Sequence, residues 1–222
     1  MVEQQISNLH TRVRFSSPAL IYYLPFFMNT TNFEKHAKTW NPISRFFLNN
    51  FSTVLLGELK KLKPESILDV GCGEGFTLNK LQEAKIGKRL EGIEYMDDAI
   101  QLGKKMHPTL TIKKGDIYKL PYKADTFDLV ICSEVMEHLE NPEEALAELK
   151  RVSKKYVALS VPNEPLFTIQ RILRGKNVLK LGDHPEHIQH WTSGQFKKFV
   201  GKHFKIVSDN TPLPWTLVIA KK

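Results

Sequence analysis

The chain has 222 residues, 41% hydrophobic and 25% charged, with a formal charge of +8, which is ordinary for one soluble globular domain with a sizeable core. Its longest apolar runs, such as Ala19 to Phe27, fall short of the roughly 20 residues that a membrane-spanning helix needs. Only Cys72 and Cys132 carry thiols; without metal-ligand spacing they predict neither a zinc site nor a disulfide, and they point to a reducing, cytoplasmic compartment.

Residues 1–40 read as an N-terminal extension, possible flexibility included, ahead of a single domain over 41–222. Arg12 and Arg14 face only Glu3 in the first 27 residues, and no small-residue cleavage pattern follows the apolar patch, so no secretory signal is expected. Met28, followed by Asn29-Thr30-Thr31-Asn32, is expected to be the native start. Phe47, Phe51, Val54, Leu55, Leu59 and Leu62 recur at three- and four-residue steps, which predicts an amphipathic helix over 41–62 with Pro42 near its start.

Beyond it, short apolar runs alternate with helical patterns. Ser66 to Val70, Leu90 to Glu94, Leu110 to Lys113, Phe127 to Cys132 and Tyr156 to Val161 read as strands. Thr77 to Glu83, Asp97 to Lys105 and Pro142 to Val152 read as helices, as does Thr192 to Val200 with Thr192 as its N-cap. The expected fold is α/β: a Rossmann-like seven-stranded sheet, mostly parallel, with helices on both faces, an antiparallel last strand, and ligands at the carboxyl ends of the strands.

The densest signal is Ile67-Leu68-Asp69-Val70-Gly71-Cys72-Gly73-Glu74-Gly75-Phe76, with Glu94 ending the next apolar run. A strand that turns into a helix through alternating glycines bares its backbone to a ligand, and an acid on the second strand is placed to accept from ribose hydroxyls. The loop carries Asp69 and Glu74 and lacks the Gly-Lys-Ser/Thr ending of a P-loop, so a polyphosphate is disfavoured. S-adenosylmethionine has ribose and adenine but positive sulfonium and ammonium groups, which acids stabilise.

The stretch from about Leu68 to Pro162 resembles the class I S-adenosylmethionine-dependent methyltransferases, close to the small "type 11" members. The resemblance rests on Asp69, Gly71, Gly73 and Gly75, then Glu94, then Asp116 in Lys114-Gly115-Asp116-Ile117, then Phe127-Asp128-Leu129-Val130-Ile131-Cys132-Ser133, four motifs in order. It implies a methyltransferase domain over 41–222, and cofactor contacts from Asp69, Gly71, Cys72, Gly73, Gly75, Glu94, Tyr95, Asp116, Ile117 and Ser133. It also implies that the last two strands, Phe204 to Ser208 and Trp215 to Ala220, close the sheet as a hairpin. One departure is Ser153-Lys154-Lys155, which stands where such proteins usually have a Pro-Gly-Gly turn.

Methyl transfer from a sulfonium is an in-line displacement, for which the protein positions the acceptor and excludes water; an oxygen acceptor also profits from a base. Glu137, His138 and His187 are the residues expected nearest the acceptor. Glu134, Glu137 and His138 fall at i, i+3 and i+4 of one helical turn, and with His184, His187 or His190 they offer ligands for a hard ion. This pattern resembles the metal-dependent small-RNA 3′-end 2′-O-methyltransferases, with Glu134, Glu137, His138 and His187 as ligands; similar Glu-His helix starts occur in ubiquinone-pathway O-methyltransferases. The preferred reading is an enzyme that uses S-adenosylmethionine on a small-molecule acceptor, without an assigned metal. RNA 2′-O-methylation with a divalent ion and a non-catalytic S-adenosylmethionine-binding scaffold are the alternatives. From Val161 onward ten Lys or Arg outnumber four Asp or Glu, a basic segment that reads first as solvated surface and second as an attractor for an anionic substrate, nucleic acid or lipid.

Overall fold

A computed structural model describes residues 42–164, 166–173 and 187–222. Helix α1 spans Pro42–Leu62, and Leu55 and Leu59, one turn apart, are its buried residues. There follow β1 (Ser66–Val70), α2 (Phe76–Glu83), β2 (Arg89–Glu94), α3 (Asp97–Met106), β3 (Thr111–Lys114) and β4 (Phe127–Ser133). A 3₁₀ turn over Met136–His138 leads to α4 (Pro142–Val152), β5 (Ser153–Pro162), α5 (Leu166–Leu173), α6 (Ser193–Gly201), β6 (Lys205–Asn210) and β7 (Trp215–Lys221).

The strands form one seven-stranded sheet in the order β3-β2-β1-β4-β5-β7-β6. β1 pairs parallel with β2 and β4, and β5 parallel with β4, whereas β7 runs antiparallel to both β5 and β6. Period-2 alternation sends successive side chains to opposite faces. On one face Ile67, Leu129, Ile131, Ala158, Leu217 and Ile219 pack with Leu55 and Leu59 of α1, Leu78 and Leu81 of α2 and Ile100 of α3. On the other, Leu68, Val130, Cys132, Val157, Leu159 and Val218 pack with Leu146 and Leu149 of α4 and Phe196 and Val200 of α6. The expected fold is therefore present, and the point where the strand order reverses lies between β1 and β4, where open α/β sheets bind ligands beyond the strand ends.

Element bounds follow the expectation within a residue or two, with two informative differences. α4 runs into β5 with no intervening turn: Ser153 ends the helix and already pairs with Phe127, so Lys154 and Lys155 lie in the strand. The segment after Pro162 contains a helix, α5, that was not anticipated. Thr192 caps α6 as expected, and does so within a capping box, accepting from Gln195 N while the Gln195 side chain accepts from Thr192 N. The extension over 1–40, the Met28 start and His184 lie outside the described residues.

Candidate active site

The carboxyl ends of β1, β2 and β4 meet at the glycine turn. Gly71, Gly73 and Gly75 all have positive φ, at 74°, 55° and 84°, which glycine adopts without steric cost. At Gly71 the constraint is also spatial, because an added Cβ would run into the Val135 side chain just after β4. The turn is pinned to β2 by Gly71 N and Cys72 N, which both donate to Ile93 O at 2.8 and 3.1 Å. Buried Cys72 packs beneath it, its thiol pKa pushed up first by burial and then by Asp69.

Glu94 has two jobs in this arrangement. One oxygen, Oε2, accepts from Gly73 N at 2.8 Å, while Oε1 accepts from Tyr95 N at 2.7 Å and Met96 N at 2.9 Å, capping the entry to α3. A carboxylate offers about four acceptor positions, so three backbone bonds leave one on Oε2, on the side of the glycine turn. Asp69 is buried, and its carboxyl is pushed up to about 7, first by burial and then by the charge of Glu94. Glu74 is also buried, and the turn from Asp69 to Phe76 contains no Lys or Arg.

Tyr95 stands out from this edge, 63% exposed, so it is no part of the core. Asp116 makes a local turn, accepting from Tyr118 N through Oδ1 at 2.9 Å, beside Ile117, which is packed against the core. Ser133 ends β4; its Oγ is buried and makes no hydrogen bond among the described residues, which marks a place where a ligand atom would satisfy it.

Glu137, His138 and His187 also come together. Glu137 is buried, and its carbonyl accepts from Ile188 N at 2.8 Å and Gln189 N at 2.9 Å, which docks the 187–190 segment on the 3₁₀ turn. The His138 and His187 rings lie 5.0 Å apart edge to face, and Phe167 of α5 covers His187 at 5.5 Å. Glu137, His138 and His187 each offer one ligand atom, all within 4.8 Å of one another. Glu134 does not complete the expected i, i+3, i+4 set. Its φ is +58° and the 3₁₀ turn begins only at Met136, so it is not on a helical face with Glu137 and His138.

α1 reaches this edge through Phe51, whose ring lies 5.3 Å from that of Trp215 at the start of β7. Two surface clefts of about 270 and 570 Å³ open at the opposite, amino-terminal edge of the sheet. Lys63, Lys154 and Lys155 line the first and Lys85, Lys88 and Lys113 the second, so part of the chain's basic surplus is held away from the acidic strand ends.

A doubly wound sheet of this order, with a glycine turn after its first strand and acids at the tips, is the architecture expected from the resemblance to class I S-adenosylmethionine-dependent methyltransferases. Residues 68–160 match the family described as Methyltransferase domain, so the chain carries that domain over this segment. It is 27% identical over 218 residues to the ubiquinone biosynthesis O-methyltransferase of Glaesserella parasuis, a match covering 80% of this chain and 88% of the relative. The match spans only 31% to 41% of the next curated relatives. Among solved structures it superposes on a Pyrococcus horikoshii protein at a TM-score of 0.65 with 18% identity, covering 85% and 96% of the two chains. The magnesium protoporphyrin IX methyltransferase of Synechocystis, solved with bound S-adenosylhomocysteine, gives 0.61 with 16% identity over 82% and 88%.

Proposed function

We propose that the protein transfers a methyl group directly from S-adenosylmethionine to an oxygen or nitrogen atom of a small molecule. The observation that carries this reading is the pair of buried acids, Asp69 and Glu94, at strand ends around a turn without any basic residue. Buried carboxylates are costly unless a positive partner offsets them, and a sulfonium with an ammonium is such a partner. The bound cofactor supplies an electrophilic methyl group. Asp69, Gly71, Cys72, Gly73, Gly75 and Ser133 form its side of the first and fourth strands, with Glu94 and Tyr95 on the second and Asp116 and Ile117 beyond the third. The acceptor position left on Glu94 Oε2 suits a ribose hydroxyl, and the buried Ser133 Oγ suits a polar atom at the other end.

Glu137, His138 and His187 serve the acceptor. Their rings and carboxylate hold it close to the methyl position, exclude water, and give an imidazole to receive its proton. The name of the Glaesserella relative supports a small-molecule oxygen acceptor, and two buried free cysteines fit a cytoplasmic site of action. No helix among the described residues is long and apolar enough to cross a membrane. The test is incubation with methyl-labelled S-adenosylmethionine and a cell extract holding both small molecules and RNA, with Glu94→Ala as the blank. Label in a low-mass product is expected; label in RNA alone, or none, overturns the reading.

One observation favours a second reading. A carboxylate and two imidazoles within 4.8 Å are a donor set for a transition-series divalent ion, as metal-dependent RNA 2′-O-methylation would require. Activity that persists in a chelator removes it, and loss restored by added divalent ion replaces the first reading.

A further inference from the structure

His187 lies in a stretch, 187–192, that is neither helix nor strand, so its place beside His138 is set by what grips the chain on either side. On the inner side the grip is the Glu137 carbonyl, which accepts from Ile188 N and Gln189 N. The outer grip comes from the tip of β5. Pro162-Asn163-Glu164-Pro165 reads as a plain loop, yet Asn163 is buried, 8% exposed, and it reaches three neighbouring elements. Its N donates to Pro214 O at 2.9 Å, just ahead of β7, and its carbonyl accepts from Phe167 N at 3.0 Å in the first turn of α5. Its side-chain Oδ1 accepts from Ser193 N at 3.2 Å, at the first position of α6. A backbone N–H can only donate, so the amide oxygen and not the NH2 group faces it. One residue on, Glu164 N donates to Trp191 O at 2.9 Å.

These bonds enclose His187. Thr192 uses its hydroxyl on Gln195 N, which leaves Ser193 N among the helix-start donors without an intrahelical partner, and Asn163 satisfies it from 30 residues away. The carbonyl of the same Asn163 holds the start of α5, whose Phe167 ring lies 5.5 Å from that of His187. One residue thus fixes both the ring that covers His187 and the helix that follows it, with the His138 ring 5.0 Å away. We propose that Asn163 is a positioning residue for the reaction: its side chain pins the start of α6 and, through the 187–192 stretch, sets where the His187 imidazole stands relative to His138 and the acceptor. The assignment rests on the reading of His138 and His187 as the residues that serve the acceptor; Asn163 acts through His187 and takes no proton itself.

Two substitutions break the same bond from opposite ends. Asn163→Ala removes the acceptor, and Ser193→Pro removes the donor at a helix position that suits proline, after a Thr192 whose ψ of 158° already fits a following proline. Turnover of methyl-labelled S-adenosylmethionine with the cell extract is expected to fall about tenfold or more in each, since a misplacement of about 1 Å can cost about 10²-fold, while the KM for S-adenosylmethionine stays within about twofold. In the double variant the two losses are expected not to add. Asn163→Asp keeps an accepting oxygen, and a negative one suits a helix start, so its turnover is expected within about threefold of wild type. The second readout is the ring-proton resonance of His187, assigned by its loss in His187→Gln. It is expected to move in Asn163→Ala and Ser193→Pro, as the ring shifts relative to Phe167 and His138, and to return in Asn163→Asp, while that of His203, past the other end of α6, stays in place. Wild-type turnover in Ser193→Pro, equal losses in Asn163→Ala and Asn163→Asp, or an unmoved His187 resonance overturns the assignment while leaving the methyl-transfer reading standing. Wild type without turnover overturns that reading instead, and the resonance alone then decides whether Asn163 anchors His187.

Discussion

Gly71→Ala probes the contact that holds the glycine turn against the tip of β4. At a φ of +74° an alanine pays the left-handed penalty of about 1–2 kcal/mol. Its Cβ would overlap Val135 Cγ2 and lie 3.4 Å from both Val135 Cβ and Cγ1. Val135 cannot swing clear freely, because Glu134 before it is held to Ser160 and the 3₁₀ turn after it carries buried Met136 and Glu137. Overpacking of this kind costs about 1–3 kcal/mol. The two parts add to about 2–5 kcal/mol, which for a chain of this length lowers Tm by roughly 5–15 °C. Val135→Ala removes the methyl groups in the way, so in that background Gly71→Ala is expected to cost only the backbone part, about 1–2 kcal/mol. Urea denaturation of the four proteins of the cycle measures both parts. An equal cost in both backgrounds, or a Gly71→Ala protein that melts with wild type, refutes the packing argument.

Three further outcomes follow from the site. The Asp69 carboxyl sits at about 7 when folded against about 3.9 when unfolded, so the folded form keeps a proton that the unfolded chain releases. Stability of the ligand-free protein therefore falls as pH rises from about 4 to 7; Asp69→Asn is expected to flatten that decline in denaturation midpoints, and parallel curves for the two proteins contradict it. His138→Ala and His187→Ala are expected to lower kcat by about 10²-fold or more while S-adenosylhomocysteine affinity stays within twofold, and a matching loss of affinity would assign both rings to the cofactor instead. Thr192→Ala breaks the capping box of α6 and is expected to cost about 1 kcal/mol in urea denaturation, with an unchanged midpoint counting against a role for the cap.

The sheet was legible because each strand and helix announces itself within a short window. Apolar runs ending in acids gave β1 and β2, alternation with amphipathic helices gave the parallel order, and Thr192 before Ser193-Gly194-Gln195 gave a helix start. The glycine turn was legible for the same reason: close backbone approach demands glycine locally. What stayed hidden depends on partners far along the chain. Nothing near Glu94 says that its carboxylate will accept from Gly73 N, 21 residues away. Gln189 likewise gives no local sign that its side chain will reach Leu139 O, 50 residues away. The Glu-x-x-Glu-His spacing looked helical, but a residue in left-handed conformation at Glu134 breaks that register before the 3₁₀ turn begins. α5 was missed although Leu166, Phe167, Ile169, Ile172 and Leu173 carry a helical rhythm, because the preceding Pro162-Asn163-Glu164-Pro165 reads as loop.

The central claim is that the acids at the strand tips hold a cationic, phosphate-free nucleoside. Calorimetric titration of S-adenosylmethionine against ATP and NAD, with wild type and Glu94→Ala side by side, tests it most directly. Saturable one-to-one heat with S-adenosylmethionine that Glu94→Ala abolishes, and none with either phosphate-bearing nucleotide, is the expected result; no heat with S-adenosylmethionine, or saturable binding of ATP or NAD at this turn, contradicts the account.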